Sequence, residues 1–243
     1  MSRRERLRIR EQRGVVTLEM SLEAGVLDAD AQVSLAAAVE DIRLSDTVRV
    51  VVVRSRGKDF CRSAALESPC DGIAALASLR VPVVAALHGH VLDEGLELAL
   101  ACDLRFVARG ARLGLTQLSR GVLPCHGGTQ RLPRLVGRGR ATRMLLMGEI
   151  LSARQAERVG LVHEVHEASV LNRKVAGVAR AMAARSPVAQ KLAKEALLAA
   201  GDLSLAEGLR LEGDLYVLSQ GAEDRAEGLA AFREKRRPKF SGS

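Results

Sequence analysis

PVVAALHGHVLDEGLELALACDLRF, residues 82–106, is the stretch of sequence that decides the fold. It begins with a continuous apolar run through residue 87 and ends with a second run at residues 104–108, so both are predicted as strands buried in a sheet. Residues 95–101 between them are apolar apart from one acid and are predicted to form a helix. A strand, a turn, a helix and a strand in this order indicate an α/β core.

The flanking sequence extends this architecture in both directions. Residues 15–20 and 48–54 are predicted as further strands. Residues 28–42 have the apolar spacing of a helix, with Asp28 or Asp30 as its N-cap. From residue 130 onward the pattern is mainly helical, and the predicted helices are 130–135, 139–147, 153–159, 168–184, 188–199, 205–219 and 222–234.

The domain prediction follows from this order of elements. Strands alternate with helices first, and only helices follow, without a linker or an internal repeat. We therefore expect an α/β core over residues 1–185 and a C-terminal helical region over residues 186–243.

Composition restricts the classes of function. The chain has 243 residues, of which 47% are hydrophobic and 27% are charged, as in soluble globular domains. Only 2% of the residues are aromatic and none is Trp, which argues against a nucleic-acid site built on base stacking. The net charge of +8 favours anionic partners, unless it only reflects an Arg-rich proteome.

The cellular compartment is predicted from three absences. Residues 2–13, SRRERLRIREQR, are Arg-rich without a following apolar segment, so they are predicted as a solvated arm rather than a secretory signal. No apolar run approaches the length of about 20 residues that a membrane span needs, so no membrane partner is expected. The cysteines show no CxxC spacing, and free thiols suit a reducing, cytoplasmic location; they are Cys61, Cys70, Cys102 and Cys125.

Four motifs in order resemble the crotonase (enoyl-CoA hydratase) family. Residues 57–68, GKDFCRSAALES, are similar to its G-K-x-F-C-A-G-x-D segment, and residues 82–106 are similar to P-V-I-A-A-V-x-G-x-A-x-G-G-G-x-E-L-A-x-x-C-D. Residues 113–137, LGLTQLSRGVLPCHGGTQRLPRLVG, resemble F-x-x-P-E-x-x-x-G-x-x-P-x-x-G-G-T-x-R-L-x-R-x-x-G. Residues 223–242 resemble the D-x-x-E-G-x-x-A-F-x-E-K-R-x-P-x-F terminus. The resemblance implies the family's spiral of β-β-α units, with C-terminal helices that assemble a homotrimer or a dimer of trimers.

The resemblance also implies a reaction on acyl-CoA thioesters. An enoyl-CoA hydratase-like lyase would add water to a 2-enoyl-CoA, or to a cyclic dienoyl-CoA, through an enolate that two backbone N–H donors stabilise. These donors align with Ala64 and Glu94. Glu94 lies in Asp93-Glu94-Gly95, where the family has Gly-Gly-Gly, and a positive φ at a non-glycine residue there would cost about 1 kcal/mol. The two acids either alter this oxyanion hole or are only favourable first-turn residues of a helix.

Two glutamates hold and activate the water in hydratases of this family. The first aligns with Glu97, whose apolar neighbours predict burial and a raised pKa, although a solvent-facing Glu on an amphipathic helix is the alternative. The second aligns with Gln117, which can hydrogen-bond a water but cannot accept its proton at neutral pH. A single carboxylate would also suit an enoyl-CoA isomerase or a decarboxylase. A non-catalytic CoA- or RNA-binding family member is a further possibility.

The substrate contacts are likewise implied by the resemblance. His90 is expected to line the acyl pocket, and the last two residues of the set match a C-terminal pair that in the family can reach a neighbouring subunit's CoA. The expected binding residues are Lys58, Arg62, Ala65, His90, Lys239 and Phe240. The family's N-R-P…N-A-L segment, which usually helps shape the CoA pocket, is replaced by SLEAGVLDAD at residues 21–30. Coenzyme A is part of the substrate, so no separate cofactor is expected.

A metal site is not expected. His88 and His90 form an HxH pair and His126 lies in the third motif, but a stable site would need a further well-placed ligand and the family uses no metal.

Overall fold

The computed structural model describes residues 6–64 and 72–243 and shows a mixed α/β fold. Its strands are β1 (Leu7–Gln12), β2 (Val15–Met20), β3 (Val26–Leu27), β4 (Val50–Ser55), β5 (Ser63–Ala64), β6 (Val83–Leu87), β7 (His90–Leu92), β8 (Leu104–Ala108), β9 (Arg112–Gly114), β10 (Leu151–Ser152) and β11 (Glu164–His166). Its helices are α1 (Ala29–Arg43), α2 (Gly72–Ala77), α3 (Glu94–Leu100), α4 (Gly128–Val136), α5 (Arg138–Leu146), α6 (Ala153–Arg158), α7 (Ala168–Ala183), α8 (Pro187–Ala199), α9 (Leu205–Gln220) and α10 (Glu223–Arg233). The predicted strands and helices are confirmed, with ends shifted by a few residues.

The main sheet has six strands in the order β1-β2-β4-β6-β8-β11. Only the β1–β2 pair is antiparallel; the other pairs are parallel. Two smaller sheets, β10-β9-β7 and β3-β5, lie beside it. Because β7 leads directly into α3, the small sheets set the position at which that helix begins.

The central strands are buried on both faces, as their continuous apolar sequences predict. Val51 and Val53 belong to the larger core cluster, which also holds the leucines of α3. Val50 and Val52 point the other way, into a second cluster closed by α7. This alternation follows from the two-residue period of a strand. The helices α3 and α7 therefore lie on opposite faces of the main sheet.

The prediction of an arm is wrong for Leu7–Gln12, although five of these six residues are exposed to solvent as predicted. This segment is the edge strand β1, joined to β2 by a two-residue turn in which Arg13 and Gly14 have φ values of 52° and 73°. Positive φ at both central residues is typical of a type I′ hairpin, whose twist matches that of the strands. The arginines led to the prediction of an arm. Charged side chains are common on exposed edge strands, because they hinder pairing with a strand of another chain.

The helical C-terminal region is tied to the core by a buried ion pair. Lys194 of α8 donates to Asp103 Oδ2 at 2.7 Å and to the Val81 carbonyl oxygen at 3.0 Å. Asp103 Oδ2 also accepts from the backbone N–H of Val83, so a single carboxylate oxygen joins α8 to β6. Among the residues that the structure describes, no helix is long and apolar enough to cross a membrane.

The turn before α3 is held by the side chain of Asp93. This residue has φ 52° and ψ −119°, a conformation that glycine adopts far more readily than an L residue. Its buried carboxylate accepts hydrogen bonds from Arg120 at 2.9 Å and from the hydroxyl and backbone N–H of Thr116. Its backbone N–H donates to Gly114, and its carbonyl oxygen accepts from Glu97. The Asp93 side chain makes no capping hydrogen bond to α3. It instead links the turn before α3 to Thr116 and Arg120.

The lysine of the buried pair is expected to matter more than its neighbour on the same helix. Lys194→Met would leave Asp103 without its cation and lower the free energy of unfolding by roughly 2–3 kcal/mol, somewhat less than for a fully buried pair. Lys191→Met is the control, because Lys191 has no ion pair within the described chain, and its effect should stay within about 0.5 kcal/mol. Urea unfolding measures both; equal losses would contradict the role given to the pair.

Asp93 should show an unusual order of variants. Asp93→Ala keeps the positive φ and loses the side-chain bonds, so it is expected to lower the free energy of unfolding by about 2–4 kcal/mol. Asp93→Gly loses the same bonds without the strain and should be about 1 kcal/mol more stable than Asp93→Ala.

The matched control for this order is Asp41, an exposed residue inside α1. There Ala should be more stable than Gly, because glycine weakens a helix interior. The same order at both positions, measured by chemical denaturation, would show that the φ of Asp93 stores no strain.

Candidate active site

Glu97 is fully buried, which rules out the alternative of a solvent-facing acid. It lies in α3, where every residue from Glu94 to Leu100 is buried. Gly95 allows this helix to begin against the main body of the chain, because a Cβ at that position would lie 2.3 Å from the Cys61 carbonyl oxygen. The sequence prediction of an acid inside an apolar helix is confirmed.

The Glu97 carboxylate is anchored by the loop that leads into α4. Its Oε1 atom accepts from the backbone N–H groups of His126 at 2.7 Å and Gly128 at 2.8 Å. A Cβ on Gly128 would approach this oxygen to 3.1 Å, so glycine permits the contact. The other oxygen, Oε2, accepts from Gln117 Nε2 at 3.2 Å.

The net effect of these surroundings is a raised pKa for Glu97. Burial is the largest influence and raises the pKa, whereas the hydrogen bonds from Gly128 and His126 lower it. The charge of Glu94 raises it further and that of Arg131 opposes this. The raised pKa lies closer to neutral pH, where the carboxyl group can both accept and return a proton.

Gln117 is fully buried and has one unused acceptor. Its Nε2 faces Glu97, which is the required orientation because an ionised carboxylate only accepts. Its Oε1 has no hydrogen-bond partner among the described residues, which is uncommon for a buried amide. A carboxylate offers about four acceptor positions, and three of those of Glu97 are occupied. The Gln117 Oε1 atom belongs to the same amide whose Nε2 bonds Glu97 Oε2, and both side chains are fully buried.

The segments that carry the predicted oxyanion donors lie side by side. Cys61 donates its N–H to His90 and accepts from the N–H of Leu92, at 3.1 Å and 2.9 Å. This bridge fixes the chain that ends in β5 at Ala64 beside the chain that enters α3 at Glu94. The convergence of these two backbone N–H groups on one oxygen stays a prediction.

A cavity of about 340 Å³ opens beside these segments. Three of its lining residues directly precede a predicted site residue: Ser63 before Ala64, Asp93 before Glu94, and Thr116 before Gln117. The other lining residues are Ala24, Arg62, Leu92 and Arg120. Ala24 belongs to the segment that replaces the family's N-R-P…N-A-L motif, so that segment still supplies a wall.

Of the remaining predicted binding residues, some lie at this cavity and others do not. Arg62 lines the cavity, and Lys58 is exposed on the same segment. His90 does not line the cavity; its ring nitrogen Nδ1 and its backbone N–H both bond Asp59 Oδ1, at 2.8 and 2.9 Å. Burial raises the pKa of Asp59, but the hydrogen bonds and charge of His90, together with the charge of Arg62, outweigh it, and the pKa is lowered. Ala65 lies outside the described residues.

Lys239 and Phe240 lie in the C-terminal segment, away from this cavity. The backbone N–H of Lys239 donates to Glu227, and the Phe240 carbonyl oxygen accepts from Arg49 at 2.6 Å. Neither residue lines the cavity within one chain. Their contact with the CoA of a neighbouring subunit stays a prediction.

Residues 6–64 and 72–243 contain no group of three or more His, Cys, Asp or Glu side chains placed to hold a metal ion. His88 instead contacts the Gly57 carbonyl oxygen through Nε2 at 3.1 Å.

Sequence reasoning missed four contributors to the site. Arg120 and Thr116 bind Asp93, and the backbone N–H groups of His126 and Gly128 hold Glu97. The Gly127-Gly128 pair was the available signal, because a glycine in a loop before a helix often permits a close backbone approach. Nothing in the sequence indicated that Asp93 would pair with Arg120.

Comparisons with known proteins agree on one family. The model of the family described as enoyl-CoA hydratase/isomerase matches residues 10–243. The 2,3-dehydroadipyl-CoA hydratase of Escherichia coli (strain K12) is 41% identical over 169 residues, which cover 70% of this chain and 66% of that protein. The mitochondrial methylglutaconyl-CoA hydratase of Homo sapiens is 34% identical over 268 residues, covering 100% of this chain and 79% of that protein.

The solved structures give the same result for the fold. An enoyl-CoA hydratase from Bacillus anthracis matches with a TM-score of 0.93 at 33% identity, covering 98% of this chain and 100% of that chain. With the family model matched over nearly the whole length, the chain belongs to the enoyl-CoA hydratase/isomerase family and has the crotonase fold.

Proposed function

We propose that this protein is an enoyl-CoA hydratase-like lyase that adds water to the double bond of a 2-enoyl-CoA or a cyclic dienoyl-CoA. The observation that carries the proposal is the buried, hydrogen-bonded pair of Glu97 and Gln117, in which the Gln117 amide oxygen has no partner among the described residues. Membership of the family supports an enzyme acting on enoyl-CoA thioesters.

The proposed chemistry needs only one titrating group. The water donates one hydrogen bond to Glu97 Oε2 and the other to Gln117 Oε1. As its oxygen attacks C3 of the substrate, Glu97 takes the first proton and negative charge moves to the thioester oxygen. The backbone N–H groups of Ala64 and Glu94 stabilise that enolate. Glu97 then gives the proton to C2 and returns to its ionised form, while the second hydrogen of the water remains on the product hydroxyl.

Asp93 and Glu94 should repel an enolate less than two adjacent acidic residues would suggest. Asp93 is matched by Arg120, whose guanidinium lies 2.9 Å from the carboxylate. Its charge is therefore largely offset, and its side chain is turned towards Thr116. Glu94 is buried, and its charge contributes to the raised pKa of Glu97.

The substrate contacts follow the cavity beside the site. Arg62 lines it and Lys58 lies exposed on the same segment, and we propose that both meet the phosphates of coenzyme A. The acyl group is proposed to enter beside Leu92 and Thr116. The names of two relatives supply candidate acyl groups for a substrate panel, 2,3-dehydroadipyl-CoA and methylglutaconyl-CoA.

The proposed assembly is a homotrimer or a dimer of trimers. The C-terminal helices α8, α9 and α10 expose a large apolar surface that a single chain leaves uncovered. Its side chains include Leu197, Leu198, Leu205, Leu209, Tyr216, Val217, Leu218 and Phe232. Such an assembly would also bring Lys239 and Phe240 near another subunit. A cytoplasmic location stays a prediction.

The first test is hydration of short, branched, ring-bearing and dicarboxylic enoyl-CoAs, including the two named above. Glu97→Gln should lower the rate by about 10²–10⁴-fold, because it removes the acid–base group while Gln can still accept from His126 and Gly128. An unchanged rate would remove Glu97 from the mechanism.

Mass spectrometry of the products separates the alternatives. Hydration adds the mass of one water, isomerisation changes no mass, and decarboxylation loses carbon dioxide. Isomerisation is the second candidate, since a single carboxylate suffices to move one proton. Tight CoA binding without turnover on the whole panel would instead indicate a non-catalytic family member.

A second test restores the second carboxylate of the family. In the wild type, the activity should rise with pH in a single step, as Glu97 ionises at its raised pKa. Gln117→Glu places a second acid about where the 3.2 Å amide contact now lies, so the two carboxyl groups should share a proton. The kcat profile should then become bell-shaped. A profile identical to the wild type would show that residue 117 does not face the reacting water.

A further inference from the structure

A second, strongly basic cavity lies on the opposite face of the main sheet from α3. Its volume is about 430 Å³, within the usual range of small-ligand pockets. Four arginines line it, Arg10, Arg13, Arg54 and Arg180, and no carboxylate does. This cavity is separate from the Glu97 site. It is lined by α7, which packs on one face of the main sheet, whereas α3, which carries Glu97, packs on the other face.

The charges in this basic pocket are mostly unbalanced. Arg54 is paired with Glu19 at 2.7 Å. Within residues 6–64 and 72–243, the structure assigns no ion pair or hydrogen bond to the side chains of Arg10, Arg13 or Arg180. Like charges brought into one concave site repel one another, and its walls concentrate their positive potential. An anion bound there would offset that repulsion.

The fold fixes these arginines on three separate elements. Arg10 lies on β1 directly opposite Thr17 of β2, which pairs in turn with Val52 of β4. Arg13 is set by the positive φ of the hairpin turn, and Arg180 comes from α7. Arg10, Gln12 and Arg13, from the Arg-rich segment to which the sequence analysis gave no binding role, thus form one wall of the pocket.

The opposite wall is one face of α7. Its lining residues Asn172, Ala176 and Arg180 are four residues apart, so they lie above one another on the helix. Besides the arginines, Asn172 on this wall and Gln12 and Thr17 from the strands have side chains that can donate hydrogen bonds.

The lining also indicates the chemical class of the ligand. Arginine guanidinium groups match the geometry of phosphate oxygens and bind them in a bidentate way. Val52 and Val175 form an apolar floor that can contact the uncharged part of a small molecule. No aromatic ring lines the pocket to stack a nucleic-acid base. We propose that this pocket binds a small molecule that carries a phosphate or diphosphate group, independently of the reaction at Glu97.

The test is isothermal titration of the full chain at low salt with inorganic pyrophosphate, ADP and coenzyme A. Arg10→Gln and Arg180→Gln change different elements, so one variant remains informative if the other fails to fold. Each should weaken pyrophosphate binding by about tenfold or more, since each removes a charge-assisted contact. Arg173→Gln is the matched control, because Arg173 is an exposed arginine of α7 that does not line the pocket.

The probes distinguish the source of the phosphate. ADP or coenzyme A binding more tightly than pyrophosphate, with the same loss in both variants, would assign a nucleotide; equal affinities would assign the free diphosphate. Affinities unchanged in both variants, or equally reduced in Arg173→Gln, would overturn the proposal. So would the absence of saturable binding, or binding only of a short RNA titrated in the same way, with a steep salt dependence. Coenzyme A is also expected to bind beside Glu97 through Arg62 and Lys58, so only binding that Arg10→Gln and Arg180→Gln weaken is assigned to this pocket. No readout is a hydratase rate, so failure of the proposed function would be recognised separately.

Discussion

The bond between the Glu97 carboxylate and the backbone N–H groups of His126 and Gly128 is the contact on which the site depends. A buried charge is costly unless hydrogen bonds compensate it, and here two main-chain donors bind a single oxygen. The contact joins α3 to the loop before α4 and leaves the other oxygen for chemistry. Two main-chain hydrogen bonds on one oxygen therefore hold the orientation of this carboxylate.

A second set of hydrogen bonds that positions the site is made by Asp93. In the family's Gly-Gly-Gly pattern, the backbone alone forms this turn. Here the side chain also bonds Thr116, the residue before Gln117, and Arg120 at the other end of the same short helical turn. The residue that begins α3 thus positions the segment that carries the amide partner of Glu97. The strain of an L residue at positive φ is offset by a link that glycine could not make.

The sequence predicted most of the fold because apolar periodicity is local. Residues 48–54 became β4 at Val50–Ser55, and the buried acid in α3 followed from its leucine neighbours. β1 was missed although Leu7-Arg8-Ile9-Arg10 alternates, because only two of its six residues are apolar and the arginines were interpreted as a charged arm. The contacts of the Asp93 carboxylate and of the Gln117 Nε2 group could not be predicted, because their partners lie 20 or more residues away and depend on packing. Even a strong motif match fixes the position of a residue rather than its contacts.

Gln117 stands where the resemblance places the family's second glutamate. This difference leaves one carboxylate of the pair, which suffices for the proposed hydration. Net addition of water moves one proton from oxygen to C2, and Glu97 can both accept and return it. The other hydrogen never leaves the oxygen, so its partner needs a lone pair rather than a charge. In the proposed reaction, the buried Gln117 Oε1 would supply that lone pair without adding a second negative charge beside Glu94 and Glu97. In a site already made acidic by its turn, a neutral acceptor at position 117 limits the rise in the Glu97 pKa that a second carboxylate would cause.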